Sequence, residues 1–194
     1  LVDVNQLGAI VTKSITRQPR EGNPPPRIVE TASGMINSIG LANIGVEKYI
    51  KDLLYIYEGL STKIIMNIAG TDIREYVEIM EMVESVSSVI AGYEINISCP
   101  NVKKGGMEFG VDCEMTAKLT ETLRGITERL IIMKLSPNVS DNVSIGMSAE
   151  NAGADAVSAI NTVVGMSINA KTGMSDISTT YGGLSGPAIK PIGL

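Results

Sequence analysis

Short apolar runs alternate with longer amphipathic segments along this chain, and that alternation restricts its fold more than any other feature. LGAIVTKSIT (7–16) is apolar and β-branched, which predicts a strand. GVEKYIKDLLYIYEG (45–59) places Val46, Tyr49, Ile50, Leu53, Leu54 and Tyr57 at helical spacing, with Gly59 as an end signal. The same alternation then repeats. TKIIMNIAG (62–70) predicts a strand, and TDIREYVEIMEMVESV (71–86) a helix capped by Thr71 or Asp72. GYEINISCP (92–100) predicts a strand and CEMTAKLTETLRGIT (113–127) a helix. RLIIMKLSPNV (129–139) predicts a strand, SDNVSIGMSAENAG (140–153) a helix closed by Gly153, and ADAVSAINT (154–162) a strand. REGNPPPR (20–27) must be a loop, because three successive prolines extend neither a helix nor a central strand. A Gly-rich loop follows residue 162, and SGPAIKPIGL (185–194) reads as the start of a further helix.

Strands joined by crossover helices form a parallel sheet. Strands apolar along most of their length suit burial on both faces. This α/β pattern leaves a doubly wound sheet and an eight-stranded barrel both open, since no internal repeat chooses between them.

Each expected strand carries polar groups at or just past its C-terminal end. They are Lys13 and Ser14; Asn67; Asn96 with Cys99 and Asn101; Lys134 with Ser136 and Asn138; and Asn161 with Thr162. That end is the active-site face of a β/α barrel and the ligand crevice of an open α/β sheet. Asparagine offers a donor and an acceptor together, which matches a ring with adjacent N–H and C=O groups, such as a pyrimidine-dione or a flavin. Lysine supplies a point charge for a carboxylate or an anionic reduced flavin. Bland roles compete with these. Lys13 can reach solvent along its stem, Asn67 and Asn96 can serve as turn amides, and an isolated Cys99 can be a quiet buried thiol. Lys134 is harder to set aside, because a charge inside IIMKL needs a partner. Cys113, at a helix start, reads as structural.

Composition narrows the chemistry. The chain has no histidine, which removes Ser-His-Asp and Cys-His triads and most zinc sites. Its net charge is −5, which argues against nucleic acid as a partner. Cys99 and Cys113 are the only cysteines, too few for a disulfide framework, so a reducing compartment, the cytoplasm, is expected. No apolar run approaches the ~18 residues of a membrane span, so no membrane is expected.

At NISCPNVKKGGMEFG (96–110) the sequence resembles the active-site loop of class 1 dihydroorotate dehydrogenases, and the GGMEFG continuation is most similar to the NAD-linked branch, class 1B. VTKSIT (11–16), REGNPPPR (20–27), NSIGL (37–41), MNIAG (66–70), MKLSPNV (133–139), AINT (159–162) and GGLSGPAIKP (182–191) extend the resemblance across the chain in the family's order. It implies a (β/α)8 TIM barrel with FMN at its C-terminal face, and oxidation of (S)-dihydroorotate to orotate in pyrimidine (UMP) biosynthesis. It implies that Cys99 acts as the general base on C5 while a hydride passes from C6 to N5 of FMN. Lys13, Asn37, Ser38, Ile39, Gly40, Leu41, Asn96, Asn101, Asn161 and Thr162 match substrate-surrounding positions. Lys13, Ser14, Asn67, Asn96, Lys134, Ile160 and Gly186 match FMN contacts. The glycines at 105, 106 and 110 imply a loop that closes over the substrate.

The class 1B likeness also implies partners: a homodimer joined in a heterotetramer to a subunit carrying FAD and a 2Fe-2S cluster. Two cysteines cannot ligate a cluster that needs four, and the partner with its FAD and cluster is implied by the resemblance alone. A barrel of this type takes ~250 residues. Against the family's order, residues 1–194 supply about strands 2 to 6 of 8, as one FMN-binding domain truncated at both ends. The expectation is that this polypeptide alone binds FMN poorly or not at all. Two other readings stay open: a related FMN-dependent dihydropyrimidine dehydrogenase-type domain, and a fragment without catalysis.

Overall fold

The computed structural model describes residues 3–98 and 109–194. In chain order its elements are β1 (Ala9–Val11), β2 (Ile28–Thr31), β3 (Gly34–Asn37), α1 (Val46–Glu58), β4 (Lys63–Ile68), α2 (Ile73–Glu84), β5 (Ile90–Asn96), α3 (Cys113–Arg124), β6 (Leu130–Lys134), α4 (Asn142–Asn151), β7 (Ala156–Ser158), β8 (Val163–Gly165) and β9 (Gly182–Ser185).

The helices α2, α3 and α4 start where short acidic side chains take up orphan backbone donors, whereas α1 starts at Gly45 without a side-chain cap. Asp72 accepts from the Glu75 amide, Asp112 from that of Met115 and Asp141 from that of Ser144. At α2 the Glu75 carboxylate returns to the Thr71 backbone N–H at 2.6 Å, a reciprocal pair that fixes the chain's entry into the helix. Gly153 follows α4 with φ of 102°, a conformation open to glycine at little cost, so that helix closes where the sequence predicts.

The five long apolar runs form one parallel sheet in the order β1-β4-β5-β6-β7. Each strand therefore pairs with the next run along the chain, and the order never reverses. A doubly wound sheet needs such a reversal, so the order decides between the two architectures the sequence leaves open. The result is the strand arrangement of an incomplete (β/α)8 barrel.

Side chains alternate across this sheet with period two. One face carries Ile64, Met66, Ile68, Tyr93, Ile95, Ile131 and Met133, all buried with Tyr76, Ile79, Met80 and Val83 of α2 and Leu119 and Leu123 of α3. Burying one such side chain fully is worth about 1.5–3 kcal/mol, so this layer holds the helices on the sheet. The other face carries Ile65 and Asn67, then Gly92, Glu94 and Asn96, then Ile132 and Lys134, then Ala156 and Ser158.

A second sheet lies outside the sequence reading. β2, β3, β9 and β8 pair antiparallel in that order, with Met35 opposite Ser185 and Val163 opposite Leu184. The stretch predicted to start a helix at residue 185 instead ends β9 and then makes a 3-10 helix, Pro187–Ile192. Pro191 cannot donate a backbone hydrogen bond, which works against a regular α-helix there. The Pro-rich segment 20–27 is irregular, as read from the sequence. The described helices include none long and apolar enough to cross a membrane.

Candidate functional site

The C-terminal ends of the parallel strands gather the predicted polar residues. Asn96 closes β5 and pairs in register with Lys134 of β6, which pairs with Ser158 of β7. Asn67 of β4 pairs with Glu94 of β5. Asn67 and Asn96 are both buried. Beyond β7 the backbone N–H of Asn161 donates to the Leu135 carbonyl at 2.9 Å, which brings this residue beside β6. Its side-chain nitrogen then donates to Asn96 Oδ1 at 3.3 Å. The Ser98 amide donates to the same oxygen at 3.2 Å. Two donors on Asn96 Oδ1 fix that amide's orientation and turn its Nδ2 away from them.

β1 reaches the site through an irregularity. Val11 pairs with Ile65, but Ile15 pairs with Ile68. Four steps on one strand answer three on the other, so one extra residue sits in the stretch that holds Lys13 and Ser14. Such a bulge re-aims side chains next to functional sites. Lys13 is exposed as a residue, yet partial desolvation holds its ammonium pKa below the ordinary lysine value.

The 37–41 segment leaves β3 and is held over the end of β1 by two asparagines. The Asn23 backbone N–H donates to the Ile39 carbonyl at 3.1 Å and its side chain to the Ser38 carbonyl at 2.9 Å. Asn43 Nδ2 donates to the Leu41 carbonyl at 2.7 Å and to Thr16 Oγ1 at 2.8 Å, tying the segment to the residues that follow Lys13. Gly40 and Leu41 have φ of 74° and 57°. A left-handed backbone is costly for leucine, and the bonds from Asn23 and Asn43 hold it in place. Ser38 Oγ is buried and has no hydrogen-bond partner among the described residues.

Gly183 of β9 joins the second sheet to the site. Asn37 Nδ2 donates to its carbonyl at 3.3 Å, and a Cβ added at Gly183 would lie 2.1 Å from Thr162 Oγ1. Asn37, Thr162, Asn161 and Asn96 are thus one connected group. Thr162 is also held from the other side, where Asn138 Nδ2 donates to its carbonyl at 3.0 Å. Ile160 packs near Gly193, and Gly186 sits against the Ser33–Gly34 turn. Cys99 and Asn101 lie outside the described residues. Cys113 is exposed at the start of α3, and its backbone carbonyl accepts from Ser148 Oγ at 2.6 Å.

Four contributors are not among the residues singled out in the sequence: Asn23, Asn43, Glu94 and Ser158. Asn23 and Asn43 act through long-range bonds that a linear reading does not reveal. Glu94 carried a signal, since a carboxylate inside EIN on an apolar strand needs a partner. It is buried and accepts from Ser158 Oγ at 2.6 Å and from Asn67 Nδ2.

The arrangement suits a flat, amide-bearing ring. A buried acceptor, Asn67 Oδ1, has no partner among the described residues, and an unpaired buried polar atom costs about 1–3 kcal/mol. A ring N–H would satisfy it. Lys13 and Lys134 bring positive charge to the same strand ends, as a carboxylate or an anionic flavin ring requires. The described residues offer no group of three or more His, Cys, Asp or Glu placed to hold a metal ion.

Comparison with known proteins agrees with this chemistry. The family model described as dihydroorotate dehydrogenase matches residues 1–194. The catalytic subunit of dihydroorotate dehydrogenase B (NAD(+)) from Desulforamulus reducens is 48% identical over 193 residues, covering 100% of this chain and 63% of the relative. The protein of the same name from Malacoplasma penetrans is 45% identical over 194 residues, again covering 100% of this chain and 63% of the relative. That from Geobacillus kaustophilus is 47% identical over 192 residues, with 99% of this chain and 61% of the relative covered. The chain therefore spans less than two thirds of the length of these relatives.

Proposed function

This chain belongs to the dihydroorotate dehydrogenase family, and on that premise we infer that the protein containing it oxidises (S)-dihydroorotate to orotate, with FMN, in pyrimidine biosynthesis. The observation that carries this reading is the set of amides and lysines converging on the strand ends around one unpaired buried acceptor, Asn67 Oδ1. Bound FMN supplies the hydride acceptor.

The chain's own residues do the rest. Lys13 neutralises the substrate carboxylate, and its partial desolvation strengthens that attraction. Asn96 and Asn161 read the imide edge of the substrate, held in register by their mutual bond. Asn37 and Thr162 close the same pocket through Gly183, with the 38–41 segment beside them, and Asn101 is assigned to the substrate by the family likeness alone. Ser14, Asn67, Lys134, Ile160 and Gly186 contact the flavin, and Lys134 stabilises negative charge on its pyrimidine ring. Cys99 takes the proton from C5. A thiol is a suitable base because its ordinary pKa, ~8.5, lies close to working pH.

The relatives are named catalytic subunits of an NAD(+)-linked enzyme. By that likeness this chain works in the cytoplasm, in a homodimer joined to a partner subunit that carries FAD and a 2Fe-2S cluster and passes electrons to NAD.

The test uses the full-length protein. Cys99→Ser should keep FMN bound and slow flavin reduction by dihydroorotate at least a hundredfold. Reduction at the unaltered rate rejects Cys99 as the base. Reduction by a dihydropyrimidine but not by dihydroorotate moves the protein to the neighbouring enzyme class.

A further inference from the structure

Glu94 is a buried carboxylate on the concave face of the parallel sheet, and the roles assigned above leave it without one. It sits on β5, and its two oxygens reach opposite ways. Oε1 accepts from Asn67 Nδ2 on β4, and Oε2 accepts from Ser158 Oγ on β7 at 2.6 Å. Among the described residues no lysine or arginine forms an ion pair with it. A buried carboxylate held by two neutral donors is a costly choice for a strand interior. A leucine or valine there would pack without that cost, so the carboxylate's value lies in what it does to its neighbours.

Its effect on Asn67 follows from donor and acceptor inventory. An ionised carboxylate only accepts, whereas a carboxamide carries a donating NH2 at one end and an accepting oxygen at the other. With Glu94 beside it, Asn67 must turn its NH2 toward β5. Its oxygen is then driven to the opposite side, where it is buried and has no partner among the described residues. Rotating the amide would satisfy neither end, because two oxygens would then face each other. Asn67 is in this way converted from an adaptable amide into a fixed acceptor.

We propose that Glu94 is a positioning residue that locks Asn67 as a hydrogen-bond acceptor for a ring N–H of the bound cofactor. This rests on the reading above, in which Asn67 contacts FMN. The oxidised isoalloxazine ring has one N–H, at N3, so N3–H is the donor that Asn67 Oδ1 receives. Ser158 holds the second carboxylate oxygen and keeps Glu94 from turning away from Asn67. The strand-end site thereby specifies a donor at one defined point of the ring.

The experiment uses full-length protein reconstituted with FMN labelled with 15N at N3, and follows the N3–H resonance and its exchange with water. In the unaltered protein the proton should be resolved and shifted downfield. Glu94→Gln can offer Asn67 either a donor or an acceptor, so the amide is free to rotate. That variant should exchange the N3 proton at least tenfold faster and bind FMN roughly tenfold more weakly. Ser158→Ala removes one anchor and keeps the carboxylate. It should change exchange in the same direction by a smaller factor, and it provides the test if Glu94→Gln does not fold. Exchange unchanged in the variants, with FMN bound, overturns the role of Glu94 and leaves the proposed function standing. Failure of the unaltered full-length protein to bind FMN overturns the proposed function itself, and this inference with it.

Discussion

Asn161 Nδ2 donates to Asn96 Oδ1 at 3.3 Å, linking the end of β5 to the segment beyond β7 across the intervening β6. The bond sets the polarity of both amides, because Asn161 Oδ1 is in turn occupied by the Thr162 backbone N–H at 2.8 Å. Asn161→Asp keeps the shape of the side chain but places a second oxygen against Asn96 Oδ1. It should destabilise the full-length protein by about 1–2 kcal/mol and weaken orotate binding more than Asn161→Ala does. Urea unfolding and ligand titration measure both. If alanine is the more damaging substitution, the bond does not set the amide polarity.

Gly183 has no room for a side chain. An added Cβ would stand 2.1 Å from Thr162 Oγ1 and 2.6 Å from Thr162 Cβ. Gly183→Ala should therefore cost about 1–3 kcal/mol through forced displacement of β9 against Thr162. Thr162→Gly in the same chain should restore most of that loss. Thr162→Ala should restore less, since its Cβ stays in the way. Denaturant midpoints for the single and double variants give the coupling directly, and strictly additive effects would show that the two residues do not meet.

Desolvation lowers the Lys13 pKa in the folded protein below its unfolded value. The folded state therefore gives up this proton first as pH rises. The group opposes folding where both states are protonated, and that opposition is relieved as pH climbs through the folded pKa. Lys13→Met should abolish this alkaline gain in stability. On the proposed assignment, orotate should bring a carboxylate to the ammonium and raise its pKa again. NMR titration of labelled lysine, with and without orotate, reads both effects. A pKa that ignores orotate would remove Lys13 from the carboxylate site.

Arg124 ties together the opposite end of the barrel. Its Nε donates to the Gly153 carbonyl at 3.0 Å, and its Nη1 donates to the Thr127 and Arg129 carbonyls, each at 3.0 Å. Nη2 meets the Asp155 carboxylate. One planar guanidinium thus clamps the α3–β6 and α4–β7 connections. Arg124→Met should cost about 2–4 kcal/mol of stability while FMN affinity in the full-length protein stays unchanged, because the bonds lie at the strand N-termini. A loss of affinity at unchanged stability would contradict that division of the barrel ends.

What this sequence settles by itself is local. The cap at Asp72 satisfies a donor three residues on, and helical or strand periodicity belongs to neighbours along the chain, so both can be read directly. The amides and lysines at strand ends are legible for the same reason, since a polar residue closing an apolar run needs no partner to be noticed. Strand order is different. It depends on which run lies beside which, and only the sheet β1-β4-β5-β6-β7 separates a barrel from a doubly wound fold. The second sheet joins Met35 to Ser185 through two four-residue strands, too short for a periodic signal and too far apart for a local one. Glu94 completes the contrast. Its charge is visible in the sequence, but its function as a lock on Asn67 exists only once β4, β5 and β7 bring an amide and a hydroxyl to its two oxygens.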